Sequence, residues 1–238
     1  MNGLLRHAAI AAVLAAVLGQ AGAASLVARQ TNVFGNFLVG AGPVLDSGSF
    51  SEFLTTPSLS YGQAVNDAGA VNGVFNGQPV TGSASFASDA SYAFGPLLIV
   101  GDGAAQTTGE TPFSYVSLAA NAQSSIRLTF SLSEPTVITL SGSIASLLGP
   151  NVGAALSQAS ASVSMNGVGS WDTSFHQGGF LATRTVLPGN YEIRGNASSR
   201  INGGASYSFE VALAPVPEPA AWALLAMGLP LLLARRRT

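Results

Sequence analysis

The chain has no cysteine and no lysine, and only 8% of its 238 residues are charged. Without cysteine there are no disulfides, no thiolate nucleophile and no Cys-based zinc site. An average soluble protein carries roughly 25% charged residues. Between residues 25 and 214 five arginines face ten acidic residues. That mildly acidic body offers no footprint for a phosphate backbone, so no nucleic acid partner is expected. Histidine is as scarce, with His7 near the start and His176 in the body. A Ser-His-Asp arrangement would have to use His176 with Asp172, yet no Gly-x-Ser-x-Gly elbow occurs,. Gly101-Asp102-Gly103 and Asn66-Asp67 read as acidic turns without the spaced ladder of a calcium loop,. No metal and no cofactor is expected, although a calcium ion held by separated loops stays open at this stage.

What replaces charge is Gly, Ser, Thr, Ala and Asn, in a pattern of period two. Ile126, Leu128, Phe130 and Leu132 alternate with Ser125, Arg127, Thr129 and Ser131,. Ile138, Leu140 and Ile144 continue on one face after Glu134-Pro135. Ala161, Val163 and Met165 alternate with serines and run into Asn166-Gly167, a turn signal,. Tyr191 and Ile193, then Tyr207, Phe209, Val211 and Leu213, repeat the alternation, and residues 83–94 read as another strand. One apolar and one polar face per strand is the mark of antiparallel sheets. The expected fold is therefore all-β, an antiparallel two-sheet β-sandwich, jelly-roll-like or immunoglobulin-like. Within residues 25–214, residues 25–50 read as an edge strand or a loose arm and 51–82 as irregular. Residues 97–100, Leu-Leu-Ile-Val, read as a buried strand, and 144–148 and 152–159 as a turn or two of helix.

The two ends differ from this body. Residues 1–24 have the parts of a secretory signal peptide: Arg6 in the n-region, an apolar stretch over 8–18 and small residues before a cleavage point after Ala23 or Ala24,. At the other end, residues 220–234 form an uncharged apolar run of fifteen, broken by Gly228 and Pro230. That is short of the roughly 20 residues of a typical span. Pro219 and Trp222 extend it toward the interface, so a transmembrane helix is expected over about 219–234. Arg235, Arg236 and Arg237 follow as a stop-transfer cluster expected to remain cytoplasmic,. Ahead of the run, Pro217 and Pro219 hold Glu218 in an extended, non-helical segment.

Val216-Pro217-Glu218-Pro219, a short apolar segment containing a tryptophan and a terminal arginine cluster together resemble the PEP-CTERM sorting signal of Gram-negative bacteria. The resemblance is confined to about the last 23 residues. It implies processing by an exosortase, a membrane-embedded transpeptidase-like enzyme, and transient residence in the inner membrane. Delivery to the cell surface or an exopolysaccharide matrix would follow. It also implies that Val216, Pro217, Glu218 and Pro219 form the recognition motif.

The function expected is non-enzymatic: an exported surface or matrix protein. The alternative is a carbohydrate-binding module for exopolysaccharide, with a hydrolase a more distant third. Trp171, Phe180, Tyr191 and Tyr207 are the aromatic types that stack on sugars. Tyr191, Tyr207 and Phe180 fit the inward alternation, which leaves Trp171 as the candidate glycan contact,.

Overall fold

A computed structural model describes residues 24–112, 116–152 and 156–216. These fold into two six-stranded antiparallel sheets. Sheet A runs edge to edge as β2 (Val44–Leu54), β1 (Ser25–Ala41), β6 (Ser117–Leu132), β11 (Gly189–Arg200), β8 (Gln158–Met165) and β9 (Gly169–Asp172). Sheet B runs as β10 (Gly178–Val186), β7 (Thr136–Leu148), β12 (Gly203–Pro215), β5 (Leu98–Glu110), β4 (Gln78–Phe94) and β3 (Ser60–Phe75). The two-sheet layering is the one expected. The strand order is not that of either template, since it matches neither the ABED and CFG sheets of an immunoglobulin domain nor the eight strands of a jelly roll,.

The alternating residues do what their spacing predicts. Ile126, Leu128 and Phe130 on β6 and Ile193 on β11 point inward from sheet A. Phe86, Ile99, Ile138, Leu140, Tyr207 and Val211 meet them from sheet B. Burial of these side chains, at about 1.5–3 kcal/mol each, is the main force that closes the sandwich. Their partners on the same strands are serines, threonines, amides and small residues, which leave both outer faces polar.

Expectations for five segments are corrected in whole or in part. Residues 25–50 are no loose arm: β1 lies inside sheet A, paired with β6 on one side and β2 on the other. Residues 60–82 are regular: Asn76 and Gly77 both take positive φ (51° and 77°) and close the β3–β4 hairpin. This is the Asn-Gly turn whose twist matches flanking strands. Residues 144–148 are strand, the end of β7, paired with β12. Between 152 and 159 the described residues hold no helix, and β8 begins at Gln158. Residues 97–100 are strand from Leu98 on, as expected, but only Ile99 is buried, whereas Leu97 and Leu98 are exposed.

Both termini of the sandwich sit at the same end. Ala24 N–H donates to the Pro96 carbonyl at 3.0 Å, and Val216 N–H donates to the Pro135 carbonyl at 3.0 Å. The signal peptide, its Ala23 cleavage residue, and the segment Pro217 to Thr238 with its expected transmembrane helix lie outside the described residues.

Candidate functional site

The outer face of sheet A is built from the outward positions of β1, β6, β11 and β8, and register fixes which residues share a row. Asn36, Asn121, Arg200 and Gln158 lie side by side across four strands. The next row is Phe34, Gln123, Ser198 and Ser160, and the one after it Asn32, Ser125, Asn196 and Ser162. Asn121 Nδ2 donates to Asn36 Oδ1 at 2.8 Å, and the Ser160 and Ser198 hydroxyls bond at 2.9 Å. A shallow depression over these rows is lined by Phe34, Asn121, Gln123, Gln158, Ser160 and Arg200. It combines amide donors and acceptors, a guanidinium and one half-exposed aromatic ring. That mixture suits a polyhydroxylated ligand lying flat across strands.

Charge divides between the two faces. Sheet A presents Arg127, Arg194 and Arg200 outward, against Glu192 and, at the edge, Asp172. Sheet B presents Asp89, Asp102, Glu110 and Glu210 outward on β4, β5 and β12, with no base among them. Glu192 bridges Arg127, at 2.6 Å, and Arg194. Partial burial pushes the Glu192 carboxyl up, but its bonds to the two guanidiniums outweigh this and hold it below the usual range,. On the other face, burial and the neighbouring Asp102 carboxylate push Asp89 up.

The residues singled out from the sequence do not assemble into a reaction centre. The His176 ring bonds to the Gly179 carbonyl at 2.9 Å, and the Asp172 carboxylate accepts from the Ser174 N–H at 2.8 Å. Acceptance from Ser174 also lowers the Asp172 carboxyl. Asp172 and His176 thus share a turn without forming a dyad. Asn66-Asp67 and Gly101-Asp102-Gly103 are strand, in β3 and β5, rather than turns. Among the described residues no three His, Asp or Glu side chains converge as a metal would require.

Trp171 is half-buried and stacks on Phe180 with ring centroids 4.4 Å apart and planes 15° from parallel. β9 is an edge of sheet A and β10 an edge of sheet B, so this pair closes one side of the sandwich. Phe180 and Tyr207 are core, and Tyr191 is half-buried with its hydroxyl donating to the Leu187 carbonyl at 2.7 Å. The residues that sequence reasoning passed over are Phe34, Asn36, Asn121, Gln123 and Arg200. The amides Asn121 and Gln123 occupy alternate positions of β6, a signal present in the sequence. Their neighbours come from strands distant in the chain, Asn36 lying 85 residues from Asn121, and only the fold reveals them. No family model, curated protein or solved structure matches the chain.

Proposed function

We infer that this is an exported, non-enzymatic surface or matrix protein whose sandwich is a body for display and whose C-terminal segment is a separable address. The observation that carries this reading is where the body stops. Among the described residues β12 is the last strand and ends at Pro215, and in the sequence Pro217-Glu218-Pro219, the apolar run and Arg235 to Arg237 follow at once. Among the described residues twelve strands fill the two six-stranded sheets. On this reading the tail serves an exosortase and the inner membrane rather than the core. The test is mass spectrometry of the surface form in a host with an exosortase. A mature C-terminus lacking Arg235 to Arg237 is expected, and Glu218→Ala should block the trimming. An intact tail on the surface form would reject processing and leave a plain anchor.

A second reading is favoured by the amide and arginine rows of sheet A. They supply a flat hydrogen-bonding face of the kind a matrix polysaccharide would engage, and they move the candidate glycan contact from Trp171 to Asn121, Gln123 and Arg200. Retention of the protein on immobilised exopolysaccharide, compared between wild type and Arg200→Ala, tests it.

A further inference from the structure

The end of the sandwich from which the tail departs carries an apolar crown. Five connections meet there, residues 55–59, 95–97, 133–135, 166–168 and 187–188, and they hold a single charged residue, Glu134. Hydrogen bonds tie this end to the first and last described residues and to β12: Ala24 to Pro96, Val216 to Pro135 and Leu213 to Leu97. Around it Leu59 (64% exposed), Leu97, Leu98 and Leu187 (73% exposed) project into solvent, with Val27 beside them. Pro57, Pro96, Pro135 and Pro188 are exposed between them. Exposed single leucines are ordinary. A cluster of them around the exit point of an apolar tail needs a reason.

The chain that follows supplies the occupant. Three residues, Pro217, Glu218 and Pro219, separate Val216 from the apolar run over 220–234. Fully extended, they span at most about 11 Å. A tail inserted in a bilayer would therefore hold the crown within the depth of the headgroup and interfacial layer, where leucine side chains gain by leaving water. We propose that this end of the sandwich docks onto the lipid surface while the tail is in the membrane, so that the body stands upright with its strands along the bilayer normal. This rests on the reading of residues 217–238 as a membrane-inserted address. The opposite end also exposes apolar side chains, Leu147 and Leu148 on β7 with Leu156 and Phe175 in its connections. However, it lies the length of β12 away, about 40 Å at 3.3 Å per residue, and serves as the internal control.

The absence of cysteine makes the test direct. Full-length chains carrying one cysteine, at Leu98, Leu187, Leu147 or, in the tail, Leu225, are labelled with an environment-sensitive fluorophore and placed in vesicles containing doxyl-quencher lipids. Circular dichroism checks that each variant keeps its sheets. The Leu98→Cys and Leu187→Cys labels are expected to shift to the blue and lose fluorescence to the quencher, and the Leu147→Cys label to do neither. A quenched Leu225→Cys label with unquenched labels at Leu98 and Leu187 overturns docking while leaving the tail reading intact. Labels at the crown that shift to the blue without lipid quenching show that protein covers it, and this too overturns docking. An unquenched Leu225→Cys label removes the tail reading and the docking with it.

Discussion

The ring of Phe86 on β4 occupies the space above Gly35 of β1, so that a Cβ on that glycine would overlap it. Phe86 is 2% exposed and lies 6.5 Å from the ring of Phe37, and β1 is held between β2 and β6. Neither side has room to retreat. Gly35→Ala is expected to destabilise the sandwich by about 1–3 kcal/mol, the usual cost of overpacking. Urea unfolding checks this, and Phe86→Leu should suppress most of the loss. A Gly35→Ala chain as stable as the wild type would place the ring elsewhere.

Arg29 gives a prediction of opposite sign. The residue is 7% exposed, and its guanidinium donates to the Tyr92 hydroxyl at 3.2 Å and lies over the rings of Tyr61 and Tyr92 at 5.4 and 5.9 Å. Among the described residues it has no ion pair, and its Nε and the Thr31 hydroxyl lack hydrogen-bond partners. Cation–π contacts return about 2 kcal/mol when desolvated, whereas burying an ion costs several. Arg29→Met, which keeps much of the volume, is expected to raise the thermal midpoint, with a gain of about 1 kcal/mol or more. A midpoint lowered by Met as far as by Ala would show that the charge itself holds this corner.

How much of this was legible follows from which forces act locally. Alternation along β6 and β12 fixed their inward faces, because side chains of a strand point to opposite sides residue by residue. Asn76-Gly77 was equally legible as a hairpin, but the small residues around it masked the flanking alternation. The strand β1 was harder to read, since Thr31 and Gly35 interrupt its apolar face while Phe34 and Leu38 stand on its polar one. Its place inside sheet A comes from pairing Asn36 with Asn121, 85 residues on. Trp171 is the converse case. No pattern on its short strand marks it as inward, and only the arrival of Phe180 from the other sheet makes it part of the wall.

The charge division between the faces predicts two pH responses of opposite sense. The folded carboxyl of Glu192 lies below its ordinary value near 4.5. Its contribution is fully present above that value and is lost as pH falls through the folded value. Glu192→Gln should therefore lower stability at neutral pH, by less than about 1 kcal/mol because both arginines are half-exposed,. The gap should close in acid. Asp89 is raised in the folded chain by burial and by Asp102. Its neutral form is favoured by folding, so stability falls as pH rises through the folded value. Asp89→Asn should stabilise at neutral pH and make no difference in strong acid. Urea midpoints of the three chains at several pH values measure both, and parallel profiles would refute the division.

The last prediction separates the wall from the face. Trp171→Ala removes a ring stacked at 4.4 Å on Phe180. For a half-buried tryptophan the loss is expected near 2 kcal/mol, below the 3–5 of a fully buried one. Asn121→Ala and Arg200→Ala trim outward side chains on β6 and β11 and should leave stability within about 0.5 kcal/mol. Retention on exopolysaccharide is expected to follow the reverse order. It should be weakened by Asn121→Ala and Arg200→Ala, and kept by Trp171→Ala at temperatures where that chain remains folded. If Trp171→Ala alone abolished retention while folded, the glycan contact would sit at the β9–β10 edge. The amide rows of sheet A would then be a solvated surface and nothing more.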